Sequence, residues 1–180
     1  MINVLGVAGS GKSTQGRLLA DNLHCPWISM GGLLRAHLTG EAHKEMLQGK
    51  IIDDDTTLSL LGLKLKAEKA DKNECVVDGT PRTLAQAEWM VEKAKDGEIM
   101  MSGVIHLQMD QAAAKERLLK RGRSDDTEEA TANRFIEYEE TVLPILAYLR
   151  DQGIAVHEVD ANGTVEEVAG RVRQALGVDR

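Results

Sequence analysis

Cysteine is scarce in this chain: Cys25 and Cys75 are the only two in 180 residues, far apart and in no metal-ligand spacing. They read as small buried side chains and fit a reducing, cytoplasmic compartment. Long hydrophobic runs are missing too. The apolar start of the chain meets Gly9-Ser10-Gly11-Lys12 too soon for a signal sequence or a membrane span, so no membrane partner is expected. Positive charge is in deficit, with 22 Lys and Arg against 29 Asp and Glu, which argues against non-specific nucleic-acid binding. An acidic protein that handles polyanions must gather its positive charge locally, so the placement of arginines becomes informative. Repeats, linkers and low-complexity stretches are absent. What remains, 42% hydrophobic and 28% charged, is the balance of an ordinary soluble globular domain large enough to bury a core.

Short apolar runs alternate with amphipathic ones. Strands are predicted near Ile2–Gly6, Trp27–Ser29, Glu74–Asp78, Val104–Leu107 and Ala155–Val159. Helical spacing places Leu18, Leu19 and Leu23 on one face, and likewise Phe135, Tyr138, Val142, Leu146 and Leu149. Capping boxes are predicted to begin at Thr83, Asp126 and Thr164, and Pro144 should break the late helical stretch in two. Asp53-Asp54-Asp55 reads as acids opening a helix rather than a metal cluster, and His106 as a satisfied core residue. Buried strands interleaved with helices imply an α/β domain with a parallel sheet covered on both faces.

Gly6-Val7-Ala8-Gly9-Ser10-Gly11-Lys12-Ser13 satisfies G-x-x-x-x-G-K-[ST] between a predicted strand and a predicted helix. Backbone N–H groups there can curl around phosphate oxygens while the following helix presents its N-terminus to the anion. Lys12 would reach the β- and γ-phosphates, and Ser13 would offer a hydroxyl to Mg²⁺. Such a loop serves many reactions. The absence of an N-K-x-D guanine signature moves GTPases down the ranking. A second motif, Cys75-Val76-Val77-Asp78-Gly79-Thr80-Pro81-Arg82-Thr83, ends an apolar strand with an acid that could hold Mg²⁺ through water. Arg82 follows at once and Gln86 comes a helical turn later, a combination suited to a phosphate acceptor with a base attached.

Taken together, these motifs resemble the adenylate kinase family of nucleoside monophosphate kinases over nearly the whole chain. The family's G-x-P-G-x-G-K-G-T-Q is similar to Gly6 through Gln15. Its I-S-T-G-D-x-L-R resembles Ile28-Ser29-Met30-Gly31-Gly32-Leu33-Leu34-Arg35, and its G-x-L-V resembles Gly49-Lys50-Ile51-Ile52. Its D-G-F-P-R-T-x-x-Q-A resembles Asp78 through Ala87. Arg117, Arg121, Arg123 and Arg134 then follow in family order, before an adenine-rim loop at Val159 through Val168.

The resemblance implies a P-loop three-layer sandwich with a five-stranded parallel sheet. Its core would be residues 1–29, 60–120 and 127–180, with a helical acceptor-binding insert at 30–59 and a truncated lid at 121–126. The implied reaction is reversible, Mg²⁺-dependent transfer of the ATP γ-phosphoryl group to AMP, giving two ADP. A kinase for CMP, UMP or a deoxynucleotide is the alternative, and a non-catalytic nucleotide sensor ranks below it. By resemblance, Gly9, Ser10, Gly11, Lys12, Ser13, Thr14, Arg117, Arg121 and Gly163 bind ATP. Met30, Gly31, Arg35, Ile52, Gly79, Arg82, Gln86, Arg123 and Arg134 bind AMP, with the amide of Gln86 on the base. Lys12, Arg82, Arg121, Arg123 and Arg134 are the expected catalytic charges, and Asp78 and Ser13 the expected Mg²⁺ residues.

The match also departs from the family. Met30 and Gly32 stand where threonine and aspartate are usual, and Thr80 replaces an aromatic residue beside the acceptor. Only Gly122 separates Arg121 from Arg123, so the lid is shorter than the family's short forms, and it has no zinc-binding cysteines. A monomer is expected, with an oligomer as the alternative that so short a lid leaves open.

Overall fold

In the computed structural model, which describes residues 1–123 and 126–178, the five expected strands are β1 Ile2–Gly6, β2 Trp27–Ser29, β3 Val76–Asp78, β4 Gly103–Gln108 and β5 Val156–Asp160. Ser124 and Asp125, in the expected lid, lie outside the described residues. All pairings are parallel and the order is β2-β3-β1-β4-β5. The expected start of β3 at Glu74 moves two residues on, although the Cys75 carbonyl still accepts from the Ile2 N–H at 2.8 Å.

Alternation along the strands feeds two opposite cores. Val4, Val76 and Ile105 pack with Leu19 and Ala20 of α1 (Lys12–Leu23) and with Val168 and Val172 of α9 (Val165–Leu176). Their neighbours Leu5 and Val104 pack on the other face with Ala87 and Val91 of α5 (Leu84–Lys95) and with Ile145, Leu146 and Leu149 of α8 (Leu143–Asp151). Val77 and Ile28 join a third cluster with Met30 and Leu34 of α2 (Met30–His37), Met46 of α3 (Gly40–Leu47) and Leu61 and Leu65 of α4 (Asp54–Ala67). Leu18, expected on the buried face with Leu19, instead turns to solvent.

Helix ends follow local chemistry with two exceptions. Asp53 caps α4 by accepting from the Thr56 N–H at 2.8 Å, and Thr164 and Glu167 form a complete capping box on α9. Thr83 caps α5, but the side chain of Gln86 bonds elsewhere and does not complete the box. Thr127, not Asp126, caps α7 (Glu128–Glu137), because Asp126 is occupied by arginines. The expected lid falls where α6 (Gln111–Arg121) gives way to α7. At the expected break, α7 passes into α8 through a π-helical turn, Tyr138–Val142. Pro144 then sits in the first turn of α8, directly after that turn, where its missing N–H removes a donor from the continuing helix. His106 is buried with Nε2 2.7 Å from the Tyr138 hydroxyl, tying β4 to that turn.

Candidate active site

The carboxyl ends of β1, β2 and β3 meet in register, with Val4 beside Asp78 and Asp78 beside Ser29. From this edge the chain leaves β1 through the phosphate loop. Gly9 has φ +88° and runs so close to α6 that a Cβ there would lie 2.4 Å from the Ala114 carbonyl oxygen. Gly11, with φ +95°, begins α1 with no side-chain cap, leaving the helix's first N–H groups to an incoming anion. Lys12 folds back onto the loop, donating from Nζ to the carbonyls of Gly6 at 2.8 Å and Val7 at 2.9 Å. Burial, helped by Arg82, lowers its pKa to about 8 against the opposing pull of Asp78 and Glu137.

Asp78 ends β3 and is 3% exposed. Its Oδ1 accepts from the Ser13 hydroxyl at 3.1 Å and the Ser29 hydroxyl at 3.4 Å, while Oδ2 accepts from the Trp27 indole N–H at 2.7 Å. Burial pushes its pKa up, and these bonds together with Lys12 push back.

The arginines converge from five helices or loops, and several are matched by carboxylates. Arg82, just after β3, pairs through Nε with Glu137 of α7 at 3.0 Å. Glu137 is buried; burial raises its pKa while Arg82, Lys12 and Arg134 hold it down. Asp126 accepts from Arg121 Nε at 2.8 Å, from the Arg123 backbone N–H at 3.2 Å and from Arg134 at 3.4 Å. Burial raises the pKa of Asp126, but the Arg121 bond and charge, with Arg123 and Arg134, hold it below the usual carboxylate value. Arg117 of α6 donates to the Gly163 carbonyl at 3.0 Å, joining α6 to the loop before α9.

The phosphate loop, Lys12, Asp78 and these arginines line one cleft of about 490 Å³. Gly9 through Thr14, Arg117, Arg121 and Gly163, expected on the donor side, are in its wall, as is Asp78. Gly31, Arg35, Ile52, Gly79, Arg82, Arg123 and Arg134 lie along the rest.

Two expected acceptor residues are not on that wall. Met30 is fully buried in the core beneath α2. Gln86 is 1% exposed and its amide is engaged at both ends. Its Oε1 accepts from the Arg82 N–H at 2.8 Å and the Thr80 hydroxyl at 3.0 Å, and its Nε2 donates to Asp54 at 2.9 Å. The reason is local: Asp54, in the first turn of α4, also accepts from the Thr83 hydroxyl at 2.8 Å and thereby clamps the start of α5.

Sequence reasoning passed over Glu137, the ionic role of Asp126, and the Trp27 bond to Asp78. Glu137 and Trp27 find partners that only the fold brings close, whereas Asp126 binds arginines within eight residues of itself and reads from the sequence as a helix cap instead. Residues 48 and 49 also pack against α7. Gly49, with φ +80°, approaches α7 so closely that a Cβ there would lie 2.6 Å from the Ala130 carbonyl oxygen, and Asn133 donates to the Gln48 carbonyl at 3.1 Å.

A parallel sheet that opens into a phosphate loop, with a buried acid on the neighbouring strand and arginines converging over both, defines a P-loop α/β phosphotransferase. A family model described as adenylate kinase matches residues 4–154. Adenylate kinases of Corynebacterium aurimucosum and Rhodococcus erythropolis are each 35% identical to the chain, covering 97% of it and 97% of their own length. The adenylate kinase of Prochlorococcus marinus is 34% identical, covering 97% of this chain and 95% of its own. The chain belongs to the adenylate kinase family. It is accordingly a nucleotide-binding transferase, a nucleoside monophosphate kinase.

Proposed function

We propose that the chain catalyses reversible transfer of the γ-phosphoryl group from MgATP to AMP, giving two ADP. The observation that carries this is one cleft in which the phosphate loop, Lys12 and Arg82, Arg121, Arg123 and Arg134 all face a common space. Both reactants are anions, and the transferring group spreads charge over its equatorial oxygens, so catalysis consists of alignment and fixed positive charge. An oxygen of the AMP phosphate attacks the γ-phosphorus. The bond to the β–γ bridging oxygen breaks, and the electron pair stays with the departing ADP. The attacking oxygen is already ionised, so no general base is required.

On this reading Gly9 through Thr14 cradle the ATP phosphates, Lys12 leaves its loop carbonyls for the β- and γ-phosphates, and Arg117 and Gly163 flank the adenine. Arg35 and Arg82 hold the acceptor phosphate beside Gly31, Ile52 and Gly79, while Arg121, Arg123 and Arg134 span the two phosphate chains. The planar guanidinium fork suits this, since it binds phosphate oxygens two at a time.

The residues present fit Mg²⁺. Among the described residues no group of three or more His, Cys, Asp or Glu is placed to hold a metal, so a dedicated protein cage is not offered. Asp78 and the Ser13 hydroxyl, 3.1 Å apart at the foot of the phosphate loop, instead provide the one or two oxygen groups that Mg²⁺ takes beside substrate phosphates. Asp78 would hold it through water, and the ion would neutralise charge on the transferring group.

Residues 30–59 act as the acceptor insert and 121–126 as the lid. The Gly49–Ala130 approach between insert and α7 supports a monomer that shuts its own cleft. Among the described residues no helix is long and apolar enough to cross a membrane, and the two unpaired cysteines support a cytoplasmic enzyme.

A second reading, a kinase for CMP, UMP or a deoxynucleotide, is favoured by one observation: Gln86 would have to leave Asp54 to pair with adenine. A coupled assay of diphosphate production with MgATP and AMP, CMP, UMP or GMP offered separately decides. Turnover confined to AMP is expected. Preference for another monophosphate would replace the acceptor and keep the chemistry, and silence with all four would overturn the kinase reading.

A further inference from the structure

Asp78 divides its two oxygens between different kinds of donor. Oδ1 takes two hydroxyls, from Ser13 and Ser29, and Oδ2 takes one indole, from Trp27. A hydroxyl can turn its proton away and accept instead, so both bonds at Oδ1 can be given up to a metal-bound water. An indole N–H can only donate, and at 2.7 Å to a buried carboxylate it is a short, charge-assisted bond with no better partner.

The ring is held where it can do this. Trp27 is the first residue of β2, partly buried against the core cluster beneath α1. It lies over Gly16, where a Cβ would come within 3.3 Å of the indole nitrogen and 3.6 Å of a Val76 methyl. A residue without a side chain at that helix position therefore leaves the indole its seat. The donor is neutral, so it orients the carboxylate without cancelling the charge that would attract a cation.

We propose that Trp27 is a positioning residue of the metal site: it pins Oδ2 of Asp78 so that Oδ1 is the oxygen turned to Ser13 and the phosphate loop. The inference rests on the Mg²⁺ reading above and goes beyond it, because Trp27 touches neither substrate nor metal. Outer partners of this kind commonly carry about 10- to 100-fold in metal affinity or activity.

The test uses Mn²⁺ as a paramagnetic probe, titrated into the full-length protein with ATP bound and read by electron paramagnetic resonance, beside the Mg²⁺ dependence of turnover. In Trp27→Phe, which keeps an aromatic ring and removes the N–H, Mn²⁺ affinity should fall about tenfold. The Mg²⁺ concentration for half-maximal turnover should rise by a similar factor, with the KM for AMP unchanged. Trp27→Gln, which restores an N–H donor, should recover most of both, and it also serves as the folded comparison if the phenylalanine variant is unstable. Equal Mn²⁺ affinity in all three proteins, or a loss of turnover that excess Mg²⁺ leaves in place, would overturn the proposal and make Trp27 a packing residue. No metal response in the unaltered protein would overturn the Mg²⁺ reading itself, a result distinguishable from the others.

Discussion

On the proposed reading, the donor side of the cleft and the acceptor side use the same kinds of group in opposite ways. Around the phosphate loop, backbone N–H groups stand uncapped at the start of α1, and Lys12 rests on carbonyls it can leave. On the acceptor side, the Gln86 amide expected to read the base is locked among Asp54, Thr80 and Arg82. Phosphate chemistry is thus built into the resting protein, while base recognition requires an exchange of partners. On the proposed reading the phosphate-binding groups already face the cleft and need only exchange partners, whereas the amide expected to read the acceptor base lies outside its wall.

The largest test of this contrast is on the donor side. Lys12→Met should lower kcat by about 10²–10³-fold, the scale of losing one preorganised charge on a developing anion, with little change in thermal stability. A variant retaining near-parental turnover would remove the donor side's claim to be ready-built. Next comes pH. On the proposed reading ATP binding requires a charged Lys12, whose pKa in the empty protein lies at about 8 rather than the usual 10.5. Bound phosphates would raise it again, so binding should take up a proton above about pH 8 and affinity should fall by up to about tenfold per pH unit. Calorimetry in buffers of different ionisation heat measures that uptake, and constant affinity through this range would refute it. The empty fold responds with the opposite sign: the unfolded chain binds the proton more tightly, so this lysine's contribution makes stability rise with pH between about 8 and 10.5.

The acceptor side predicts a different kind of loss. Gln86→Ala leaves the buried Thr80 hydroxyl and the Arg82 N–H without their acceptor, and should cost about 1–3 kcal/mol of stability. Measured by denaturant unfolding, that loss together with a raised KM for AMP would show one side chain serving both tasks. A raised KM with unchanged stability would mean that the clasp carries no weight. The smallest effect concerns Arg82 and Glu137. Removing Arg82 alone strands a buried carboxylate, so Arg82→Met should be less stable than Arg82→Met with Glu137→Gln. The difference should be about 1 kcal/mol, reduced from that of a fully buried pair because Arg82 is one-third exposed. A double-mutant cycle measures it.

Much of the fold was legible because its signals are local. Val76-Val77-Asp78 is a short β-branched run with an acid at its end, and the glycine spacing of the phosphate loop admits few other uses. The capping box at Thr164 needs only four residues to be recognised. Resemblance in motif order carried the arginines, and the cleft gathers them. Trp27 and Asp78 are 51 positions apart, and Gln86 and Asp54 are 32. No periodicity links such pairs, since their proximity is created by parallel pairing and by the packing of α4 against α5. Leu18 shows the same limit on a smaller scale: an apolar spacing has two faces, and only the sheet decides which is covered.

The carboxylates facing the arginines have one more consequence. Asp126 and Glu137 are tethered counter-ions, and on the reading proposed here a nucleotide displaces them instead of mobile anions from the solvent. The site then behaves like an ion exchanger already loaded with its own anions. Nucleotide affinity should therefore weaken with added salt less steeply than so many arginines would suggest. The swap takes place inside a sheltered cleft, where small ions screen less than they do at an open surface.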